Sequence, residues 1–206
     1  MNAVCCGVLR VATIVDSTEA EGPGARLALW VQGCTIRCPG CCNPEMFTQR
    51  GGTELTIEQL LARFDAAGDN EGVSILGGEP FEQAAGVAAF ARGVRERGKT
   101  VMVYSGYRIA ELREQAVANP AVTELLDTTD LLVDGRYDRE LAEPPPPLGR
   151  RWLGSTNQVM HYLTPAYSAD DPRMRASNTV EIHWRDGKLV VNGWPLGADT
   201  LVRRTK

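Results

Sequence analysis

The sequence predicts an α/β fold organised around parallel strands and ending in a β-hairpin. Three observations carry that expectation. Between residues 55 and 134, short apolar runs with strand character alternate with amphipathic helical stretches, the pattern of parallel βα units. Near the C-terminus, VEIHWRDGKLVVNG alternates around Asp186-Gly187, a type I′ hairpin signal. The 206 residues are 43% apolar and 23% charged, enough for one packed domain with a real core, and no internal repeat or long low-complexity run interrupts them.

The elements follow in order. Val8 to Val15 reads as a strand and Ala25 to Gln32 as a second, separated by the Gly-Pro-Gly turn at residues 22–24. Leu55, Ile57, Leu60, Leu61 and Phe64 form a helical stripe, with Thr56 placed to cap it. Val73 to Leu76 is a short strand, Phe81 to Arg97 an alanine-rich helix, and Thr100 to Tyr104 a strand entered after Gly98. A helix around Ile109 to Ala118 then precedes a buried strand at Asp130 to Asp134. Right-handed crossovers bring the carboxyl ends of such strands to one edge, where ligands of α/β folds bind. The proline run at residues 144–147 is stiff and extended, so it marks a break or surface strap. One domain is expected over residues 1–206, with its core at about 8–160 and a hairpin-bearing extension at 161–206.

Charge and patterning exclude several functions. A net charge of -4 supplies no basic stripe for a phosphate backbone, so nucleic acid is not an expected partner. No run reaches the length of a membrane-spanning helix, and the first residues lack a secretory pattern, which predicts a cytoplasmic protein. Four of the six cysteines crowd into residues 34–42, which favours metal ligation over disulfides. Only two histidines, His161 and His183, are present, and no nucleophile stands beside an evident base.

Cys34, Cys38 and Cys41 form a C-x3-C-x2-C loop just after the second strand. Three thiolates can hold three irons of a cubane cluster and leave the fourth iron open to an outside ligand. Structural zinc needs four ligands, which Cys42, Cys5 or Cys6 would complete. The spacing alone leaves both readings open. Cys5 and Cys6 otherwise read as spare thiols.

The surroundings carry a resemblance. From Gly22 to Asn43 the chain reads GPGARLALWVQGCTIRCPGCCN, which resembles the signature of radical-activating enzymes in the radical S-adenosylmethionine superfamily. The match covers Gly22, Gly24, Arg26, Gly33, the three cysteines and Asn43. Pro39-Gly40 before the third cysteine is most similar to the activating enzymes of anaerobic ribonucleotide reductases, although Cys42 replaces the tyrosine usual there. VSILGGEP, residues 73–80, resembles the superfamily's strand end that contacts the amino group of S-adenosylmethionine.

The resemblance implies a 4Fe-4S cluster on Cys34, Cys38 and Cys41. It implies S-adenosylmethionine bound by Gly40, Gly77, Gly78, Glu79, Pro80, Ser105 and Asp134, the last two carried from the looser matches VYSGY and LLVDGRY. A further block, RWLGSTNQ at residues 151–158, is similar to the family's C-terminal part without a role that can be derived. With so short a chain, the implied fold is an incomplete β/α barrel open on one side to a protein loop. The implied activity is reductive cleavage of S-adenosylmethionine to a 5′-deoxyadenosyl radical, which makes a glycyl radical on a larger partner, with flavodoxin or ferredoxin as electron donor. Two other readings remain at this point: direct modification of a small metabolite or peptide, and a non-catalytic metal-binding interaction module.

Overall fold

The computed structural model describes residues 7–185 and 188–193. Cys5, Cys6 and the turn pair Asp186-Gly187 lie outside the described residues. A seven-stranded sheet forms the centre, in the order β3-β1-β2-β4-β5-β6-β7, and a separate two-stranded sheet pairs β8 with β9. The strands are β1 (Val8–Thr18), β2 (Arg26–Val31), β3 (Thr53–Thr56), β4 (Gly72–Gly77), β5 (Thr100–Tyr104), β6 (Leu131–Asp134), β7 (Val159–Tyr162), β8 (Val180–Arg185) and β9 (Lys188–Gly193). The helices are α1 (Ile57–Ala66), α2 (Ala84–Glu96), α3 (Ile109–Ala118) and α4 (Pro120–Thr128).

Strands β2, β4, β5 and β6 are parallel, as the strand-helix alternation requires. The flanks differ from that expectation: β1 runs antiparallel to β2 and β3, and β7 antiparallel to β6. The short connection between β1 and β2 explains the first of these, because a parallel pair needs a long crossover. The central sheet is open, with β3 and β7 at its edges.

Alternation along the strands divides the sheet into two faces. Leu27, Leu29, Val31, Val73, Ile75, Val101, Val103 and Leu132 pack with residues of the four helices, Leu60, Phe64, Val87, Phe90, Leu112 and Leu125 among them. The intervening residues Ala28, Trp30, Leu76 and Tyr104 lie on the opposite face. The alanines of α2 keep it close to the strands: Ala88 and Ala91 are fully buried.

Several elements depart from the sequence reading. Leu55 belongs to β3, paired with Leu9, and not to the helical stripe. Thr56 does cap α1, its hydroxyl accepting from the Gln59 amide while the Gln59 side chain accepts from Thr56 N–H. Helix α4 was not expected, although Asn119-Pro120 is an N-cap followed by proline at the first helical position. The proline run makes a surface turn in which Leu148 N–H donates to the Pro145 carbonyl, and the central sheet continues beyond it into β7. No helix among the described residues is long and apolar enough to cross a membrane.

Candidate functional site

The cysteine loop begins where β2 ends. Gln32 anchors it by donating from its side chain to the carbonyls of Glu45 and Thr48, and Gly33 N–H donates to Met46 O at 2.9 Å. Thr35 ties it to the turn after β4: its N–H and hydroxyl donate to Glu82 Oε1 at 2.8 and 2.5 Å. Cys41 N–H donates to Cys38 O, which closes a tight turn between those two cysteines.

Because β2 and β4 are parallel neighbours, their carboxyl ends are adjacent and the Gly-Gly-Glu-Pro turn meets the cysteine loop backbone to backbone. Gly78 N–H donates to Val31 O and Glu79 N–H to Gly33 O, both at 2.8 Å. A Cβ on Gly78 would stand 2.1 Å from the Gly33 carbonyl oxygen. Glycine is therefore required there by the approach of the two loops.

Glu79 is 1% exposed and joins three elements. Oε1 accepts from Phe81 N–H and the Ser105 hydroxyl, and Oε2 accepts from Gly106 N–H at 2.8 Å. Burial raises its carboxyl to about 7, against the pull of those three donors. A carboxylate offers about four acceptor positions, so one remains for a ligand.

These parts surround a cavity of about 470 Å³, within the usual range for small-molecule sites. Cys34, Cys38, Cys41 and Cys42 line it, together with Gly77, Gly78, Glu79, Ser105 and Asn43. Trp30, Leu76 and Tyr104 from the face opposite the helices contribute to it as well. Cys34 is buried, Cys38 and Cys41 are half-buried, and Cys42 is exposed. A hydrogen bond from the Cys42 thiol lowers Cys41 to about 6, and the same contact pushes Cys42 up. Burial raises Cys34 and Cys38.

The donor set fits an iron-sulfur cluster with room for a polar ligand beside it. Four thiols open on one chamber, three of them in the C-x3-C-x2-C spacing, and the buried Trp152 Nε1 at its wall has no hydrogen-bond partner in the protein. Among the described residues no three His, Cys, Asp or Glu side chains gather closely enough to hold a single metal ion.

Residues 20–161 match the family described as a 4Fe-4S single cluster domain. The anaerobic ribonucleoside-triphosphate reductase-activating protein of Salmonella typhimurium is 32% identical over 151 residues, 69% of this chain and 92% of that protein. Its namesake from Vibrio cholerae is 34% identical over 152 residues, 70% of this chain and 92% of that protein. The chain belongs to this family of reductase-activating proteins. The phage T4 protein of the same name is 27% identical over 145 residues, 67% of this chain and 84% of the relative.

Not all of the residues singled out in the sequence reach the cavity. Arg26 is fully buried and donates to Ser74 Oγ, Val73 O, Thr100 O, Thr100 Oγ1, Pro23 O and Tyr167 OH. It joins the Gly-Pro-Gly turn to β4 and β5, and Gly22 and Gly24 belong to that turn. Gly40 packs against the Arg139 guanidinium and is not among the cavity residues. Pro80 is a buried first residue of a short 3-10 turn. Asp134 also stays outside: Oδ2 accepts from Ile109 N–H at 2.6 Å at the start of α3 and lies 3.0 Å from His161 Nε2. The neighbouring Gly135 and Tyr137 line the cavity in its place.

The sequence reading missed Glu82, which pins the cysteine loop, and the cavity role of Leu153, Gly154 and Gln158. Those three fall in the RWLGSTNQ block, so the signal was present without a derivable role. Gln158 Oε1 accepts from the amides of Gly154 and Ser155 while its amide nitrogen donates to Gly135 O.

Proposed function

We propose that this protein uses a 4Fe-4S cluster and S-adenosylmethionine to generate a glycyl radical on a partner enzyme, an anaerobic ribonucleoside-triphosphate reductase. The observation that carries this reading is a single cavity lined by three loop cysteines and the Gly-Gly-Glu turn, in a chain whose relatives are named for activating that reductase. Cys34, Cys38 and Cys41 would hold the cluster. The backbone of Gly77 and Gly78, with Glu79 and Ser105, would receive the amino acid end of S-adenosylmethionine. When bound and reduced by a flavodoxin or ferredoxin, the cluster supplies the electron that breaks the sulfonium bond.

The chain's own residues bind, orient and exclude water. Glu79, held by Ser105, Phe81 and Gly106, presents one fixed acceptor position to an ammonium group. The loop bonds from Gln32, Thr35 and Gly33 hold the three thiols in place. Trp30, Leu76, Tyr104 and Leu153 give the chamber an apolar wall, which keeps solvent from a reactive hydrogen-abstracting species. We read the open sheet as an incomplete barrel whose open side admits a protein loop, and we assign the protein to the cytoplasm, where thiols stay reduced.

The test is electron paramagnetic resonance on the reconstituted, reduced protein mixed anaerobically with S-adenosylmethionine and the reductase of the same organism. A glycyl radical doublet is expected. Absence of the doublet, with turnover of a small molecule instead, would overturn the activase reading.

A further inference from the structure

Beyond residue 161, where the family match ends, the chain returns to the cavity. Asn178, Asn192 and Gly193 line the same chamber as Cys34, Cys38 and Cys41. They come from the β8-β9 hairpin and the residues just before it, and they meet Ala20 and Glu21, which also line the chamber.

The docking is specific. Asn192 Nδ2 donates to Thr18 Oγ1 at 2.6 Å in a buried contact, and Asn192 itself is 4% exposed. Gly193 N–H donates to Glu21 Oε1 at 3.2 Å, and Glu19 N–H donates to Glu181 Oε1 at 2.8 Å. Arg151, beside the cavity residue Trp152, donates to Thr179 Oγ1 at 2.9 Å. Gly193 has φ +95, and a Cβ there would stand 2.3 Å from Thr179 O and 3.0 Å from Ala20 Cβ, so only glycine lets the hairpin end seat this closely.

We infer that Asn178, Asn192 and Gly193, docked on Thr18, Ala20 and Glu21, close one wall of the reaction chamber and keep hydrogen donors of the solvent away from it, an inference that rests on the function proposed above. The reason is placement. The family domain supplies the thiols and the Gly-Gly-Glu turn, and these residues add a wall beside them from outside the matched region. The consequence is coupling. Productive reaction consumes one electron and one S-adenosylmethionine, moves one hydrogen atom from the glycine, and releases methionine, 5′-deoxyadenosine and the glycyl radical. A loosened wall lets the hydrogen atom come from a thiol of the assay buffer instead, which leaves the unpaired electron on a buffer thiyl radical and raises 5′-deoxyadenosine without raising glycyl radical.

The experiment uses the full-length holoprotein with two variants, Asn192→Ala and Thr18→Val, which remove the same buried bond from opposite sides. Amide hydrogen exchange over residues 178–193 reads the docking, and the ratio of 5′-deoxyadenosine to glycyl radical reads the coupling. Loss of one buried hydrogen bond is expected to speed exchange there about fivefold to tenfold. The ratio is expected to rise severalfold above wild type in both variants. Faster exchange with an unchanged ratio would overturn the inference, and so would unchanged exchange in both variants. Wild-type protein that makes no 5′-deoxyadenosine would refute the proposed function separately, with the exchange data still deciding whether the segment is docked.

Discussion

Arg26→Ala should unfold the scaffold of the site without touching the site itself. The side chain is fully buried, and its five N–H groups serve six acceptors in the Gly-Pro-Gly turn, β4, β5 and Tyr167, with three of them sharing Nη1. Its charge is answered through Tyr167, whose hydroxyl reaches Glu71 at 2.5 Å, while burial itself pulls the guanidinium below its ordinary value. Hydrogen bonds to a charged group contribute roughly 1.5–3 kcal/mol each but share one desolvation cost, and breaking a buried charged network typically costs about 3–5 kcal/mol. We expect about 4 kcal/mol, a large part of the ~5–15 kcal/mol available to a folded domain. With a urea slope near 2 kcal/mol/M, the midpoint should fall by about 2 M. Far-ultraviolet circular dichroism of reduced, cluster-free protein in urea reads this directly. A midpoint within about 0.3 M of wild type, with S-adenosylmethionine binding lost, would refute the scaffold role and place Arg26 at the cofactor site.

Three further outcomes follow from the same geometry. Gly78→Ala places a methyl where the Gly33 carbonyl lies, so the cysteine loop must move; iron and sulfide analysis should show less than half the wild-type cluster content, and full content would contradict the packing. Asp134→Ala removes the acceptor at the start of α3 and should cost about 1–2 kcal/mol in thermal or urea unfolding while leaving S-adenosylmethionine affinity unchanged; a tenfold loss of affinity in a stable variant would place Asp134 at the ligand. Burial raises the Glu21 carboxyl from 4.5 to about 7, so between those values the folded state binds more protons than the unfolded state. Its contribution to stability is complete below the unfolded value and is lost as pH rises through about 7. Melting of the cluster-free protein at a series of pH values should show this loss, and Glu21→Gln should flatten it; identical pH profiles for the two proteins would contradict the assignment.

The candidate cysteine loop was legible because its pattern is local: Cys34, Cys38 and Cys41 lie within eight residues, and the structure puts them on a loop after β2 that lines the cavity. What could not be read was neighbourhood. That the Gly-Gly-Glu turn touches the cysteine loop depends on β2 and β4 being parallel partners, and no spacing along the chain states that. Arg26 shows a second limit: its position in a signature marked it as important, yet nothing along the chain told that it is buried among Ser74, Thr100 and Tyr167. Asp134 was carried toward the ligand by its place at a strand end, and nothing in the sequence told that its carboxylate also accepts from Ile109 N–H in the first turn of α3. Leu55 fitted the 3.6-residue stripe and still went to β3, because the edge of β1 offered it a pairing partner in Leu9. Strands β3 and β7 are four residues each, too short for a periodicity to stand out.

The central claim is that three thiols, and not four, hold the cluster beside an S-adenosylmethionine site. It is tested most directly by measuring 5′-deoxyadenosine from reconstituted, reduced wild-type protein and from single alanine variants of Cys34, Cys38, Cys41 and Cys42. The account predicts no product from the first three variants and continued product from Cys42→Ala. Loss of product with Cys42→Ala, or its survival with any of the other three, would contradict it.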